Sequence, residues 1–385
     1  MIARLRASLG ATIEVLKLRV RGVEFPPVAP DLRDQGLFIG TSNSAGQGWA
    51  WARAFESARP GMRAVSARFG GEHQDASFAF SVDQPVFSHY AAHSRRWQRR
   101  QFEAVSAYRG ALVESGDAIF ARLSGGDPVA QVRALQEAGV AVGLLFHGSD
   151  IRAPDPHMRV EPHSHFAADE TFAHAFRELT DRNRELIAEL QIPVFVSTPD
   201  LLDEVPGGTW LPVVVDVSRW ATERPPLQDE RVPLRIVHIP SSSMVKGTEL
   251  VDPLLRDLAS EGGVDYRTLT AVPHAEMPAA YGSADVVIDQ FRVGNYGVAA
   301  CEAMAAGRIV VSHVSERVRE RTRELTGEPL PIIEATPETL REVLSAIRTD
   351  PQRYLELASR GPGFVQRHHD GRRSGAVLGD WLMPL

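Results

Sequence analysis

A chain of 385 residues is too long for one ordinary hydrophobic core and suits two domains of roughly 150 to 200 residues each. Its 42 basic and 49 acidic residues leave a net charge of −7, which argues against non-specific binding to nucleic acid. Apolar residues at 43% are typical of a globular protein, and the single cysteine, Cys301, excludes an internal disulfide or a multi-cysteine metal site, as expected in a reducing compartment.

The chain opens with MIARLRASLGATIEVLKLRVRG, where Arg4, Arg6, Glu14 and Lys17 interrupt the apolar centre that a signal peptide needs. No run approaches the ~18 apolar residues of a membrane span, so a cytoplasmic protein is expected. Residues 1–21 are nevertheless basic and weakly amphipathic, which suits peripheral contact with a membrane surface as well as a solvated chain end; so ragged a pattern favours the latter.

Next come GLFIGTS, the helical GWAWARAFESA, AGVAVGLLFHGSD, a helix from about Glu170 to Leu190, and IPVFVSTPD. Apolar runs alternating with helices predict a parallel sheet covered on both faces. Within this part, HSRRWQRRQF sets Arg95, Arg96, Arg99 and Arg100 around Trp97, either a face for an anionic acceptor or membrane or, more simply, a solvated helix face. HMRVEPHSHF offers His157, Glu161, His163 and His165, and alternate histidines of an extended segment would share a face as zinc requires. A polar surface loop explains that stretch more simply, and no metal is expected.

The pattern breaks at DEVPGGTWLPVVVDVSRWATERPPLQDERVP, which is rich in proline and turn residues and reads as a domain boundary. A second series follows: LRIVHIP, a helix from about Thr248, DYRTLTAV, a helix across AEMPAAYGSA, DVVID, an alanine-rich helix, and RIVVSHV. The expected organisation is a first lobe over residues 1–214, a second over 215–370, and a last helix in 371–385 that crosses back to the first lobe. Two doubly wound α/β lobes would place a ligand cleft at the C-terminal ends of both sheets.

In QFRVGNYGVAACEAMAAGRIVVSH, Gly297 stands directly before a run of helix formers and Gly307 where that helix would stop. A glycine there lets an anion approach the free N–H groups at the helix start, which the helix dipole favours. Glu302 falls in the second turn, within reach of a ribose whose phosphates sit on the helix end. A small-sided helix packed closely on its sheet, with Glu302 a solvated charge, accounts for the glycine spacing equally well.

YGVAACEAMAAG resembles the nucleotide-binding segment of retaining glycosyltransferases of the GT-B fold, in the large family numbered four. The wider pattern is similar too: Lys246-Gly247, AVPHAEMPAAYGSADVVIDQ, then GNYG and EAMAAG; DQ followed by GNYG looks like one branch of that family. In the first half, LLFHGSDIR looks like the segment that brings a histidine to the donor sugar, and VSTPDLL followed by WLPVVVD looks like the approach to the hinge. GTSNSAGQGWAWARAF, with Gly46, is similar in position to the family's glycine-rich first turn. Residues 61–140 have no counterpart.

The resemblance implies two Rossmann-like lobes facing across a cleft and a transferase that moves a sugar from a nucleotide diphosphate sugar to a hydroxyl acceptor on a glycan, glycolipid or small-molecule glycoside. By that resemblance Glu302 binds the ribose, the backbone of Gly297 and Val298 faces the diphosphate, and Lys246 neutralises the leaving phosphates. Val272 contacts the base through its backbone, and His274 stacks or is exposed. His147 hydrogen-bonds the donor sugar, with Asp150 orienting a neighbour.

Two positions depart from the family. Gly294 stands where a Glu usually helps to hold the donor sugar, and Pro240 where an Arg often pairs with the diphosphate. Asp289, Gln290, Asn295 and the adjoining Tyr296 then become candidates for donor contacts, and Ser241, Ser242 and Ser243 for phosphate. The departures also leave open a non-catalytic nucleotide-sugar-binding paralogue, and the fold an epimerase or hydrolase of sugar nucleotides.

Retaining transfer on this fold lets the leaving phosphate accept the acceptor's proton, so neither a general base nor a cofactor is expected. No Asp-any-Asp triplet, G-x-S-x-G elbow or G-x-x-x-x-G-K loop occurs, and Cys301 reads as a packed thiol.

Overall fold

The computed structural model describes residues 17–18, 25–28, 34–71, 80–222, 224–227 and 233–383. Apart from Lys17 and Leu18, the basic segment at residues 1–21 lies outside them. Among the described residues no helix is long and apolar enough to cross a membrane.

Two wholly parallel sheets form the framework. The first has seven strands: β1 (Asp34–Thr41), β2 (Met62–Gly70), β3 (Gln84–Phe87), β4 (Gly110–Glu114), β5 (Ala141–Phe146), β6 (Val194–Val196) and β7 (Thr209–Trp210), in the order β3-β2-β1-β4-β5-β6-β7. The second has five: β8 (Leu234–His238), β9 (Val264–Thr268), β10 (Val286–Ile288), β11 (Ile309–Ser312) and β12 (Ile333–Glu334), in the order β12-β11-β10-β8-β9. The winding reverses between β1 and β4 in one sheet and between β8 and β10 in the other. At each reversal the following connections leave to opposite faces and open a crevice at the C-terminal strand ends.

Alternation along the strands explains why both faces are covered. Phe38 of β1 and Val113 of β4 enter one apolar cluster, while their neighbours Leu37, Ile39 and Leu112 enter the cluster on the opposite face with Trp51 and Phe55. The second sheet divides likewise, with Ile236, Val286 and Ile288 on one side and Val237, Val287 and Val310 on the other. Strands buried on both faces draw on consecutive apolar residues, as LFI of β1, ALV of β4 and VVI of β10 do.

The helix Arg372–Leu382 lies in the first lobe's outer layer. Leu378 is in the same cluster as Trp51 and Phe55, and Trp381 packs on Phe195 with ring centres 5.2 Å apart. The approach is close enough that a methyl at Gly375 would overlap the Ala54 carbonyl oxygen in the helix Gln47–Ala58. On the way, the chain crosses beside the segment that leads out of the first lobe, where the Val215 N–H donates to the His369 carbonyl (2.7 Å).

The helix Arg95–Val105 shows why its sequence is so basic. Trp97 and Gln98 are buried against the lobe, and Arg95, Arg96, Arg99 and Arg100 all point to solvent.

Candidate active site

The two sheets turn their C-terminal edges toward each other across a cleft of about 680 Å³. From the first lobe, residues 42–45, Ser115, His147, Gly148, Asp150 and Arg152 line it; from the second come Ser241, Lys246, His274, Gln290, Asn295, Gly297, Val298 and Glu302.

The second lobe contributes a helix end. Val298–Ala305 follows β10 and starts at Gly297, whose backbone is extended and whose side carries no cap. A Cβ at Gly297 would meet nothing within 4 Å, so the space before the helix is open, and the N–H groups of its first turn have no side chain to satisfy them. Behind, Ala300, Cys301, Ala303 and Met304 are buried in the core. Burial, with the charges of Glu302 and Asp289, pushes the Cys301 thiol well above its ordinary pKa, which makes it a packing group and not a nucleophile.

Glu302 is buried, and its Oε1 is hydrogen-bonded to His274 Nε2 at 2.8 Å. Burial raises its pKa above the usual carboxylate value against the opposing pull of His274 and, more distantly, Arg219 and Lys246. His274 itself is held between Phe80 (4.8 Å) and Trp220 (5.7 Å). Lys246 ends the short helix Ser243–Lys246, where Gly247 takes the left-handed conformation that lets the chain turn away, and its ammonium pairs with the buried Asp289 at the end of β10.

The first lobe supplies His147 at the end of β5. Its Nε2 is hydrogen-bonded to Glu114 Oε1 at 3.0 Å, and its ring stacks on Trp51 at 5.7 Å. Glu114, fully buried at the end of β4, also accepts the N–H groups of Ser42 and Asn43 (both 2.9 Å), so one carboxylate holds the first-turn loop and the histidine together. Burial disfavours the charged ring, but the hydrogen bond and charge of Glu114, with Asp150 and Asp117 behind, outweigh it and raise the His147 pKa.

Asp150 accepts the N–H groups of His147 (3.0 Å) and Gly148 (2.7 Å) and the Ser115 hydroxyl (2.8 Å), and so fixes this loop. Arg152 grips Asp200 through Nε (3.1 Å) and Nη2 (2.5 Å), and Asp200 accepts from Asn295 Nδ2 across the lobes (3.2 Å). Burial opposes the ionised form of Asp200, yet Arg152 and these hydrogen bonds hold its pKa below the usual range.

Of the residues singled out in the sequence, His147, Asp150, Lys246, His274, Gln290, Asn295, Gly297, Val298 and Glu302 meet in this cleft. Gly46 lines a second cavity of about 660 Å³, bounded by Trp49, Arg53 and residues 214–220, which joins the cleft at Ala45, Phe80, His274 and Glu302. The other five lie elsewhere. Ser243 is exposed at its helix start, and Ser241 faces the cleft instead. Val272 packs on the second lobe's core, Asp289 is occupied by Lys246, and Gly294 lines a separate small cavity beside Glu161. Tyr296 is buried with its hydroxyl 3.4 Å from His369 Nε2, too deep to touch a donor.

The histidine-rich stretch does not converge on a metal. His157 is bonded to Ser164 Oγ and the Val293 carbonyl, His163 to Glu338, His165 to Ser149 and Glu161 to His313. Among the described residues no group of three His, Cys, Asp or Glu side chains is arranged to hold one.

Glu114, Arg152 and Asp200 went unrecognised in the sequence. The signal for Glu114 was present, a lone acid closing the apolar run ALV just before Ser115-Gly116, the position where parallel strands present functional groups.

No protein-family model matches the chain, and no curated protein sequence does. Solved structures do match. The sucrose-phosphate synthase of Thermosynechococcus elongatus superposes with a TM-score of 0.57 at 14% identity, over 90% of this chain and 98% of that one. The Anabaena protein HepE, in complex with UDP and glucose, gives 0.55 at 13% identity, over 91% and 100%. A glycosyltransferase of Rickettsia africae gives 0.55 at 8% identity, over 92% and 100%. The fold is therefore GT-B, two Rossmann-like lobes across a cleft.

Proposed function

We propose that this chain moves a sugar from a nucleoside diphosphate sugar to a hydroxyl acceptor, with retention at the anomeric carbon and without a metal. The observation that carries this is the uncapped helix start at Gly297, open to the cleft, with Lys246 and the buried Glu302 beside it. The complex of the Anabaena neighbour with UDP and glucose supports the same class of ligand.

In this reading the diphosphate lies on the N–H groups of residues 298–300, where the helix dipole and Lys246 act together. The ribose hydroxyls donate hydrogen bonds to the Glu302 carboxylate in exchange for His274. The base enters the second cavity, whose lining of Trp49, Phe80, Trp220 and His274 suits a flat aromatic group. The transferred sugar then reaches toward His147, and the acceptor approaches over Ser42, Asn43 and Ser44 of the first lobe.

The chemistry follows from placement. As the bond from the anomeric carbon to the diphosphate breaks, negative charge grows on the phosphate oxygens, and fixed N–H dipoles and Lys246 stabilise it without rearranging. The diphosphate oxygen, held on the same face as the incoming hydroxyl, takes its proton.

One observation favours a second reading. The His147–Glu114 pair has the arrangement of a general base with its orienting carboxylate, and such a base would withdraw the acceptor's proton in an inverting displacement. Proton NMR of fresh UDP-glucose turnover, with water or a simple glycoside as acceptor, separates the two. Retention gives the α-anomer first; the β-anomer first would overturn retention and make His147 the base. Binding without any turnover would leave a non-catalytic protein.

A further inference from the structure

Loop 290–295 brings Gln290, Val293 and Asn295 to the cleft and leads into the helix start at Gly297, and the first lobe fastens it from behind. Gly294 sits in the left-handed region at φ 69°, and a methyl there would overlap Oε1 of Glu161, which follows the first-lobe helix Pro154–Val160. Glu161 is 7% exposed, and its other oxygen is bonded to His313 Nε2 at 2.6 Å. His313 follows β11, and its Nδ1 meets Glu334 Oε1 at 2.7 Å, so the ring is held between two carboxylates from different lobes. On either side of Gly294, His157 Nε2 is bonded to the Val293 carbonyl (3.1 Å) and Asn295 donates to Asp200 (3.2 Å).

Domains joined by a hinge move relative to each other unless something ties them, and a polar interface alone ties them weakly. A carboxylate buried between lobes does more, because opening the lobes separates it from the His313 ring while other groups still shield it from water. Gly294 fits that arrangement for two reasons: its backbone angle favours glycine, and the volume a side chain would fill already holds Glu161.

We infer that Glu161 is a positioning residue: seated against Gly294 and bonded to His313, it locks loop 290–295 to the first lobe and sets the separation of the His147 and Lys246 sides of the cleft. The mechanical part stands on these contacts alone; its consequence for turnover rests on the function proposed above.

The test uses the full chain as Glu161→Ala, His313→Ala, the double variant, and Glu161→Gln, read by hydrogen exchange and small-angle scattering without ligand. The expected result is faster exchange confined to loop 290–295 and residues 152–166, with a larger radius of gyration. The double variant should be no worse than either single one, because both remove the same tie. Glu161→Gln keeps the size of the side chain and serves if Glu161→Ala fails to fold; it should show the same localised change.

With UDP as probe, calorimetry should show affinity weakened roughly tenfold, since only the closed fraction binds fully. Unchanged scattering and exchange in folded variants would overturn the inference, as would exchange raised evenly through the lobe, which marks general destabilisation. Should wild-type protein fail to bind UDP while the variants still open, the positioning role stands and the functional reading falls.

Discussion

Lys246→Ala is expected to lower kcat about 10²- to 10³-fold, with a much smaller change in nucleotide affinity. An ammonium about 4 Å from a phosphate is worth about 4 kcal/mol at the effective dielectric of a partly buried site. That attraction grows as the leaving group gains charge, so its loss falls on kcat more than on binding.

The same substitution has a structural effect that must be separated. It strands Asp289, a carboxylate only 3% exposed, without its cation. Breaking such a pair costs up to about 3 to 5 kcal/mol, less here because Lys246 is 17% exposed. Lys246→Ala with Asp289→Asn removes that charge and should recover most of the stability in urea unfolding while turnover stays low. Recovery of activity in the double variant would show that Lys246 is merely structural.

Acid should begin to destabilise this protein below about pH 6.5, before most of its carboxylates titrate. Burial, reinforced by Arg152, lowers the pKa of His157 to about 4; burial lowers His369 to about 4, and burial with Arg152 lowers His165 to about 2. Above pH 6.5 these rings are neutral folded or unfolded. Between about 6.5 and 4 the unfolded chain binds protons that the folded chain refuses, so stability falls as pH falls through that window. Two such rings cost on the order of 5 kcal/mol by pH 4, comparable with the stability of an ordinary domain.

His313 acts in the opposite sense. Although burial opposes its charge, Glu161 and Glu334 raise its pKa to about 9, so its contribution is whole below about 6.5 and is lost as pH rises through 9. Urea midpoints should therefore peak near neutrality and fall on both sides, more steeply toward acid. A midpoint that stays constant from pH 7 to 4.5 would contradict the neutral, buried state of these histidines.

Much of the framework was legible because it depends on local chemistry. The helix Glu170–Leu190 is capped by Asp169, whose carboxylate takes two first-turn N–H groups, and its apolar spacing is helical throughout. The alanine-rich helix between Gly297 and Gly307 was equally plain, because glycine marks both ends and small residues let it pack closely. His147 directly follows β5, Lys246 closes the short helix after β8, and Glu302 lies in the second turn of the helix after β10, all near the C-terminal strand ends where a doubly wound fold displays its groups.

What remained hidden depends on distant partners. Nothing around Glu114 in sequence shows that it faces His147, and nothing around Gly294 shows that Glu161 fills the adjoining space. Tyr296 lies between two glycines that suggest a ligand loop, but the pull of burial turned its ring toward His369. The histidine-rich stretch is neither an extended strand nor the surface loop expected of it: it folds as Pro154–Val160, a turn and His165–Ala168, and contacts distant in sequence bury His157, Glu161 and His165.

The most direct test of the central claim is a thermal-shift panel of UDP, GDP and ADP with their common sugar conjugates, on wild-type protein and Glu302→Ala. A ligand at a hundred times its Kd adds about 2.7 kcal/mol to the native state, a rise of several degrees. Such a rise is expected for one base, lost in Glu302→Ala while the fold is kept. No rise with any nucleotide in folded wild-type protein would contradict it.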